Sequence, residues 1–492
     1  MPTRLAALDD VTTGVRLPQY RPSRHATGIV HLGIGAFHRA HQAVYTDDAL
    51  AAGGGDWRIV GVSLRSRIVA DALNPQNGLY TLIERGEDAV SARVVASLSR
   101  VIAPPDAPEE AIKAMADPST RIVSLTVTEK AYGIDRATGR VDPAHSTIAI
   151  DLGHPQAPTG VLGMLVEALR RRRARGARGV PAFTVLCCDN LPDNGGLVRA
   201  GVLDFARRVD PALADWIEAE VAFPSTMVDR ITPAPTIETR EEAAERIGVE
   251  DRAAVAAEAF SQWVVEEKFP AGRPAWEAGG ALFVDDVAPY ERMKLRMLNG
   301  AHSMLAYAGF LSGHAHVRDV MADSSLAALV GRHVKAAAAT LEPLSEIDFD
   351  DYARSLLQRF RNPNIAHETY QIAMDGTEKL PQRVFEPAVH ALQHGQSLRP
   401  FAFATAAWMR YSLGHDEEGK TYVLRDPRET EIVALIKEAG AQEAPAALHR
   451  LPGLFPDALQ QSPSWRNEVD RAFTVMLEQG MAEAARLEAA AI

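Results

Sequence analysis

Short apolar runs alternate with longer amphipathic stretches through the first half of the chain. "GIVHLGI" (28–34), "RIVGVSL" (58–64), "TRIVSLTVT" (120–128), "AFTVLCC" (182–188) and "STMVDRI" (225–231) are apolar throughout rather than every second residue. Strands covered on both faces read that way. Between them, 36–52, 107–117, 158–176, 195–208, 211–221 and 239–247 have helical spacing. Strand–helix alternation predicts a parallel α/β sheet with right-handed crossovers. "LYTLIERGEDAVSARVVASLSRVI" (79–102) reads as an antiparallel hairpin inserted in that sheet. Beyond "FVDDVAPYE" (283–291) every apolar pattern is helical, and Pro289 is a stop signal. The expected architecture is α/β: a Rossmann-like parallel-sheet domain over 1–286, then a mostly α-helical domain over 287–492.

A length of 492 residues fits two domains better than one core. The net charge of -12, with acidic and basic residues interspersed, leaves no basic face for nucleic acid. The one basic run, "RRRRARGAR" (170–178), ends a predicted helix, where cations complement the dipole. No uncharged run reaches membrane-span length, and the first residues lack an apolar leader pattern. The only cysteines, Cys187 and Cys188, are adjacent. Two free thiols and a reducing, cytoplasmic setting are expected.

Candidate chemistry begins at "IVHLGIGAFHRAHQAVY" (29–45). Gly33 allows a tight turn after the first strand, and Gly35 lets backbone approach a pyrophosphate. The third glycine of G-x-G-x-x-G is His38. Pattern alone leaves a dinucleotide loop and a structural turn both open. A second cluster lies in "YERMKLRMLNGAHSML" (290–305). At about 100° per residue from Lys294, Glu291 falls near 60°, His302 near 80° and Asn299 near 140°. The four share one broad face, either a solvated face or a site. Lys294 and His302 would lie about 12 Å apart along an ideal helix, so the lysine must lean or the helix depart from ideal.

"HLGIGAFHRAHQAVYTDD" closely resembles the opening of the long-chain mannitol dehydrogenase family, the polyol-specific long-chain dehydrogenase/reductases. K-x-x-x-x-N-x-x-H, matched by Lys294, Asn299 and His302, is that family's signature. "CDN", through Asn190, and "MVDRITP" (227–233) are further matches. The similarity extends over nearly the whole chain, through "RPAWE", "QIAMDGTEKLPQR" and "WMRY". The resemblance makes the glycine loop a dinucleotide site. It implies cofactor contacts from Gly33, Gly35, Ala36, Phe37 and Arg39, with Arg65 and Thr128 at the next strand ends. It implies NAD, although Arg65, Ser66 and Arg67 stand where NAD sites usually carry an acid, so NADP is not excluded. It implies a zinc-independent reaction with Lys294 as base, its pKa lowered by burial or a nearby cation. Asn190 and Asn299 would donate to the developing alkoxide, His302 would orient the lysine or bind a hydroxyl, and Glu291 would relay the proton. No metal is implied: the cysteines are adjacent, and the His38–His41 pair is a poor ligand set.

The substrate expected is a sugar acid or polyol. "AFHRAHQA", "SLTVTEK", "MKLRMLNG" and "QIAMDGTEKLPQR" look closest to the branch that interconverts D-mannonate and D-fructuronate, with D-mannitol/D-fructose second. A sugar acid needs a cation for its carboxylate. Arg230, Arg361, His367, Lys379 and Arg383 are the candidates, with Asp229 and Lys379 as hydroxyl ligands. A monomer or homodimer is expected, with no nucleic-acid or membrane partner.

Overall fold

The computed structural model describes residues 3–12, 14–104, 107–135, 138–176 and 180–491. Two compact units divide the chain, Met1–Ala288 and Pro289–Ile492.

The first unit is built on a five-stranded parallel sheet. β1 (Thr27–Leu32) pairs with β2 (Arg58–Val62) on one side and β6 (Ile122–Leu125) on the other. β5 (Leu98–Ile102) and β9 (Thr184–Cys187) form the edges, giving the order β5-β2-β1-β6-β9. The apolar runs have the predicted cause. Val30 and Leu32 belong to one core with the helices Val161–Gly176 and Asn194–Val209, while Ile29 belongs to another with the helix Gln42–Gly53. Successive side chains point to opposite faces, and both faces are covered.

Two expectations about this sheet are corrected. The segment 79–102 is not a hairpin within it. β3 (Tyr80–Arg85) and β4 (Val90–Val95) pair antiparallel, but in a separate sheet with β11 (Val255–Glu258). Only β5 returns to the parallel sheet. Between β4 and β5, the Ala96 N–H donates to Asp47 and the Ser97 hydroxyl to the Ala43 carbonyl, which turns the chain away. The run 225–231 is also not a parallel strand. It holds β10 (Thr226–Asp229), antiparallel to β12 (Gln262–Glu266), with β13 (Leu282–Val284) beyond. Side chains fasten β10 to β9 instead: Asn194 bridges both backbone groups of Thr226, and the Thr226 hydroxyl donates to the Cys187 carbonyl at 2.7 Å. A small ribbon joins β7 (Ile134–Asp135) and β8 (Arg140–Val141).

The expected helix 36–52 is two helices, Ala36–Ala40 and Gln42–Gly53, broken at His41 (φ -123°, ψ -99°). Much of the basic run is engaged within the fold, although Arg173 and Arg175 are exposed. Arg170 and Arg171 pair with Glu167, and Arg172 donates to the carbonyls of Asp117, Thr120 and Pro181. Arg178 lies outside the described residues.

In the second unit the described residues form helices, with isolated bridges at His316–Glu368 and His415–Thr421. Start signals are readable in the sequence. Asp323 caps Ser324–Ala338, Asp348 caps Phe349–Arg361 and Ser462 caps Pro463–Gln479, each accepting backbone N–H groups left over in the first turn. The helix Gly300–Leu311 is buried on almost every side and forms the centre of this core. Among the described residues, no helix is long and apolar enough to cross a membrane.

Candidate active site

In the first unit the carboxyl ends of the parallel strands carry the glycine turn. Gly33 has φ +95°, and its N–H donates to Val62 O at 2.9 Å. A Cβ there would fall 2.1 Å from the Thr126 carbonyl oxygen, so only glycine fits. A Cβ at Gly35 would meet nothing closer than 3.8 Å. The outer face of the turn is therefore open, as a backbone cradle for a pyrophosphate must be. Ala36 and Phe37 begin the following helix, where N–H groups have no acceptor within the helix. That helix has only five residues, so its dipole is smaller than the 36–52 span implies. Phe37 stacks on His41 with ring centroids 5.0 Å apart.

Arg39 is buried. Its guanidinium donates to the carbonyls of Gly35 and Ala253 and lies over the Tyr80 ring. It pins the turn from below. Arg65 is exposed beyond the end of β2, and Arg67 donates to Pro104 O. Ser63, Leu64 and Arg65 follow β2 without a carboxylate, and Asp56 accepts the Ala26 N–H at the opposite end of the strand.

Beyond β6, Thr128 sits at φ +71°, ψ 152° and is exposed. That region belongs almost wholly to glycine and costs other residues about 1–3 kcal/mol. Asn190, also exposed, follows β9, and Asp229 and Arg230 are buried at the end of β10. The Arg230 guanidinium has three acceptors within the chain: it donates to Glu258 O, Ala40 O and Glu84 Oε1 at 3.0, 2.6 and 2.6 Å. Cys187 and Cys188 are free, buried thiols, and burial raises both.

In the second unit, Lys294–Asn299 is a π-helical turn between the α-helices Ala288–Met293 and Gly300–Leu311. The helix does depart from ideal. One widened turn, with bonds reaching five residues back, changes the ideal phase between Lys294 and His302, and such turns are frequent at functional sites. Lys294, Asn299 and His302 are 7, 8 and 7 % exposed, so they are not a solvated face. Glu291 is half-exposed one turn earlier.

The His302 ring packs on Phe360, centroids 4.6 Å apart, and meets His367 edge-on. Burial holds its pKa well below the usual histidine value, helped by His367, Arg359, Arg383 and Lys294. His367 is lowered by burial and by Lys379. Burial and Arg383 lower Lys379, whose ammonium donates to Met374 O at 2.6 Å with Asp375 3.7 Å away. Burial pushes Arg383 down to about 10, and it donates to Ser303 Oγ at 3.3 Å.

Arg361 does not join this cluster; it is exposed at the end of its helix. Arg359 is the buried arginine there. Sequence reasoning missed it, although helical phase carries the signal: Tyr352, Leu356, Arg359 and Phe360 share the core face, and Arg361 leaves it. Among the described residues no group of three or more metal-ligating side chains comes together.

A Rossmann-type turn in one unit and a buried lysine–asparagine–histidine set in the other define a dehydrogenase. Residues 27–278 match the mannitol dehydrogenase Rossmann domain, and 286–477 the mannitol dehydrogenase C-terminal domain. The chain belongs to the mannitol dehydrogenase family. D-mannonate oxidoreductase of Escherichia coli K12 is 43% identical over 97% of this chain and 99% of its own. Mannitol 2-dehydrogenase of Phaeosphaeria nodorum is 38% identical over 97% of this chain and 83% of its own. The solved ternary complex of Pseudomonas fluorescens mannitol 2-dehydrogenase with NAD and D-mannitol aligns with TM-score 0.84 at 38% identity, covering 99% of both chains.

Proposed function

We propose that the protein interconverts D-mannonate and D-fructuronate with NAD. The observation that carries the sugar-acid reading is the crowding of cations around His302 and His367. Arg383 depresses Lys379, Lys379 depresses His367, and Arg359, Arg383 and Lys294 all act on His302. A carboxylate on the substrate would offset that charge, and a fork of guanidinium donors suits it. The 43% identity to a D-mannonate oxidoreductase supports the same reading.

The roles follow from residue chemistry. Lys294 takes the hydroxyl proton of the alcohol. Asn190 and Asn299 donate hydrogen bonds to the oxygen as its charge develops. His302, kept neutral, accepts a hydrogen bond and orients the lysine or a hydroxyl. Glu291 passes the released proton toward water. Asp229, His367 and Lys379 hold substrate hydroxyls, and Arg383 with Arg359 holds the carboxylate. Arg230 and Arg361 are left out of the substrate set, the first because its donors are spent on Glu258, Ala40 and Glu84, the second because it is exposed. Gly33, Gly35, Ala36, Phe37, Arg65 and Thr128 would hold the cofactor, which accepts or returns the hydride when bound. Arg39 supports that loop from beneath.

The second reading, D-mannitol to D-fructose, is favoured by the full-length alignment with the Pseudomonas fluorescens enzyme. A purified-enzyme panel separates them: mannonate, mannitol, arabinitol and sorbitol, each with NAD and with NADP, followed by nicotinamide absorbance. Turnover of mannonate with NAD is the expected result. Turnover of mannitol without mannonate would replace this reading with the second.

A further inference from the structure

Thr128 occupies a backbone region that a β-branched residue avoids, and it does so while exposed at the surface. What holds it is Asp189. The Thr128 N–H donates to Asp189 Oδ1 at 3.0 Å and the Val127 N–H to Oδ2 at 3.2 Å. The Tyr132 hydroxyl closes the other side of the carboxylate at 2.6 Å. Both Asp189 and Tyr132 are buried. The carboxylate thus spends its two oxygens on the Val127 and Thr128 N–H groups and the Tyr132 hydroxyl, with the Cys187 thiol 3.8 Å from Oδ2.

That turn is also bonded to the glycine turn. Thr126 donates its N–H to Leu32 O and its hydroxyl to Gly33 O, both at 2.9 Å, so the 126–128 turn is locked to the glycine turn. Asp189 is also the residue before Asn190, and its carbonyl accepts the Asn194 side chain at 2.9 Å. One buried carboxylate therefore sits between the turn bearing Thr128 and the asparagine assigned to the substrate oxygen.

We propose that Asp189 is a positioning residue: with Tyr132 it clamps the 126–128 turn in its strained form, setting Thr128 for the cofactor and Asn190 for the reacting oxygen. The inference rests on the roles given above to Thr128 and Asn190. It adds a residue that contacts neither cofactor nor substrate.

The test uses Asp189→Asn, Tyr132→Phe and the double variant Asp189→Asn/Thr128→Gly in the full chain. Asn keeps one acceptor and presents an NH2 to an N–H. Gly takes the 128 conformation without strain, so it should partly replace the clamp. Turnover, sugar KM, NAD affinity by tryptophan fluorescence and melting temperature are measured on whichever sugar the wild type oxidises. Asp189→Asn is expected to lower kcat on the order of 100-fold, with the sugar KM changed less than about threefold. Tyr132→Phe should lower kcat in the same direction by less, and it serves if Asp189→Asn does not fold. The double variant should regain at least about tenfold in kcat over Asp189→Asn. A lower melting temperature with unchanged kcat and NAD affinity would overturn the proposal, because the clamp would then be structural only. Recovery of stability without recovery of kcat in the double variant would do the same. A wrong sugar assignment only changes the assay substrate, and a wrong base assignment shows as normal turnover by Lys294→Met, so neither failure mimics these.

Discussion

The imidazoles of His302 and His367 meet edge to face with centroids 5.3 Å apart, and His302 Nε2 and His367 Nδ1 are buried without a hydrogen-bond partner. Both rings are held neutral by burial and by the cations around them. Other buried histidines share the sign: burial lowers His31 to about 3 and His333 to about 4, and it lowers His38 and His449 as well. Each has a folded pKa below its unfolded value near 6.5, so the unfolded chain binds the extra proton first. Stability from these groups is present above about pH 6.5 and is lost as pH falls toward the folded values, by about 1.4 kcal/mol per pH unit for each. Asp47 and Asp189, raised by burial, act with opposite sign, but from the carboxylate range. The melting temperature should therefore fall between pH 7 and pH 5.5 at constant ionic strength. A flat or rising curve in that interval would refute the assignment of neutral histidines.

Gly33 and Gly35 should fail differently. Gly33→Ala drives a methyl group into Thr126 O and strains φ at +95°, so it should destabilise the fold by about 1–3 kcal/mol as well as weaken NAD binding. Gly35→Ala meets open space, so its melting temperature should stay close to wild type while NAD affinity falls at least about tenfold, because the methyl group occupies the cradle. Thermal melts and a fluorescence titration on both variants decide it. Equal damage to stability would remove Gly35 from the cofactor set.

Arg383 carries the substrate prediction. It is half-buried, donates to the Ser303 hydroxyl, and depresses Lys379 beside it. Replacing a guanidinium that holds a carboxylate should cost the acid and spare the polyol. Arg383→Met is expected to lower kcat/KM for mannonate at least about 30-fold, the loss of a charge-assisted pair, and to change mannitol by less than about threefold. A parallel loss on both sugars would make Arg383 a support of the pocket wall rather than the carboxylate ligand.

Much of this was legible in the residues. β-branched runs such as Ile29–Leu32 and Ile122–Leu125 announced the parallel sheet, and both the α/β-then-helical architecture and the family follow from the ordered motifs. The misreadings have one cause. A short apolar run does not say which sheet it joins, and Thr226–Asp229 was assigned by side-chain bonds from Asn194 that no periodicity records. The π-turn at Lys294–Asn299 was foreshadowed only as a misfit in an ideal helix. Asp189, beside Asn190 in "CDN", carries no sequence signal of its own, since its bonds to the 126–128 turn depend on Thr128 standing at positive φ.

Lys294 separates chemistry from binding. It is buried at the start of the π-turn in the helical unit, while the glycine turn belongs to the other unit. Lys294→Met keeps length and apolar bulk but cannot take a proton. Turnover should fall roughly 10²–10⁴-fold, the range for a positioned base, with NAD affinity within about twofold of wild type. Loss of NAD affinity in step with turnover would mean that the lysine supports the fold.

Arg230 tests the opposite assignment. Sequence placed it among the substrate cations because "MVDRITP" carries it, but in the fold its guanidinium joins β10 to three distant segments through Glu258 O, Ala40 O and Glu84. Its side chain is 2 % exposed and that of Glu84 24 %, so the carboxylate can recover some hydration when the partner is removed, whereas the two carbonyls cannot. Arg230→Met should therefore destabilise the protein by on the order of 3 kcal/mol, near the lower end for breaking a buried pair. The variant that remains folded should keep the wild-type ratio of kcat/KM for mannonate over mannitol. Denaturant unfolding gives the first quantity, and two-substrate kinetics at low temperature gives the second. A shifted ratio with unchanged stability would return Arg230 to the substrate pocket.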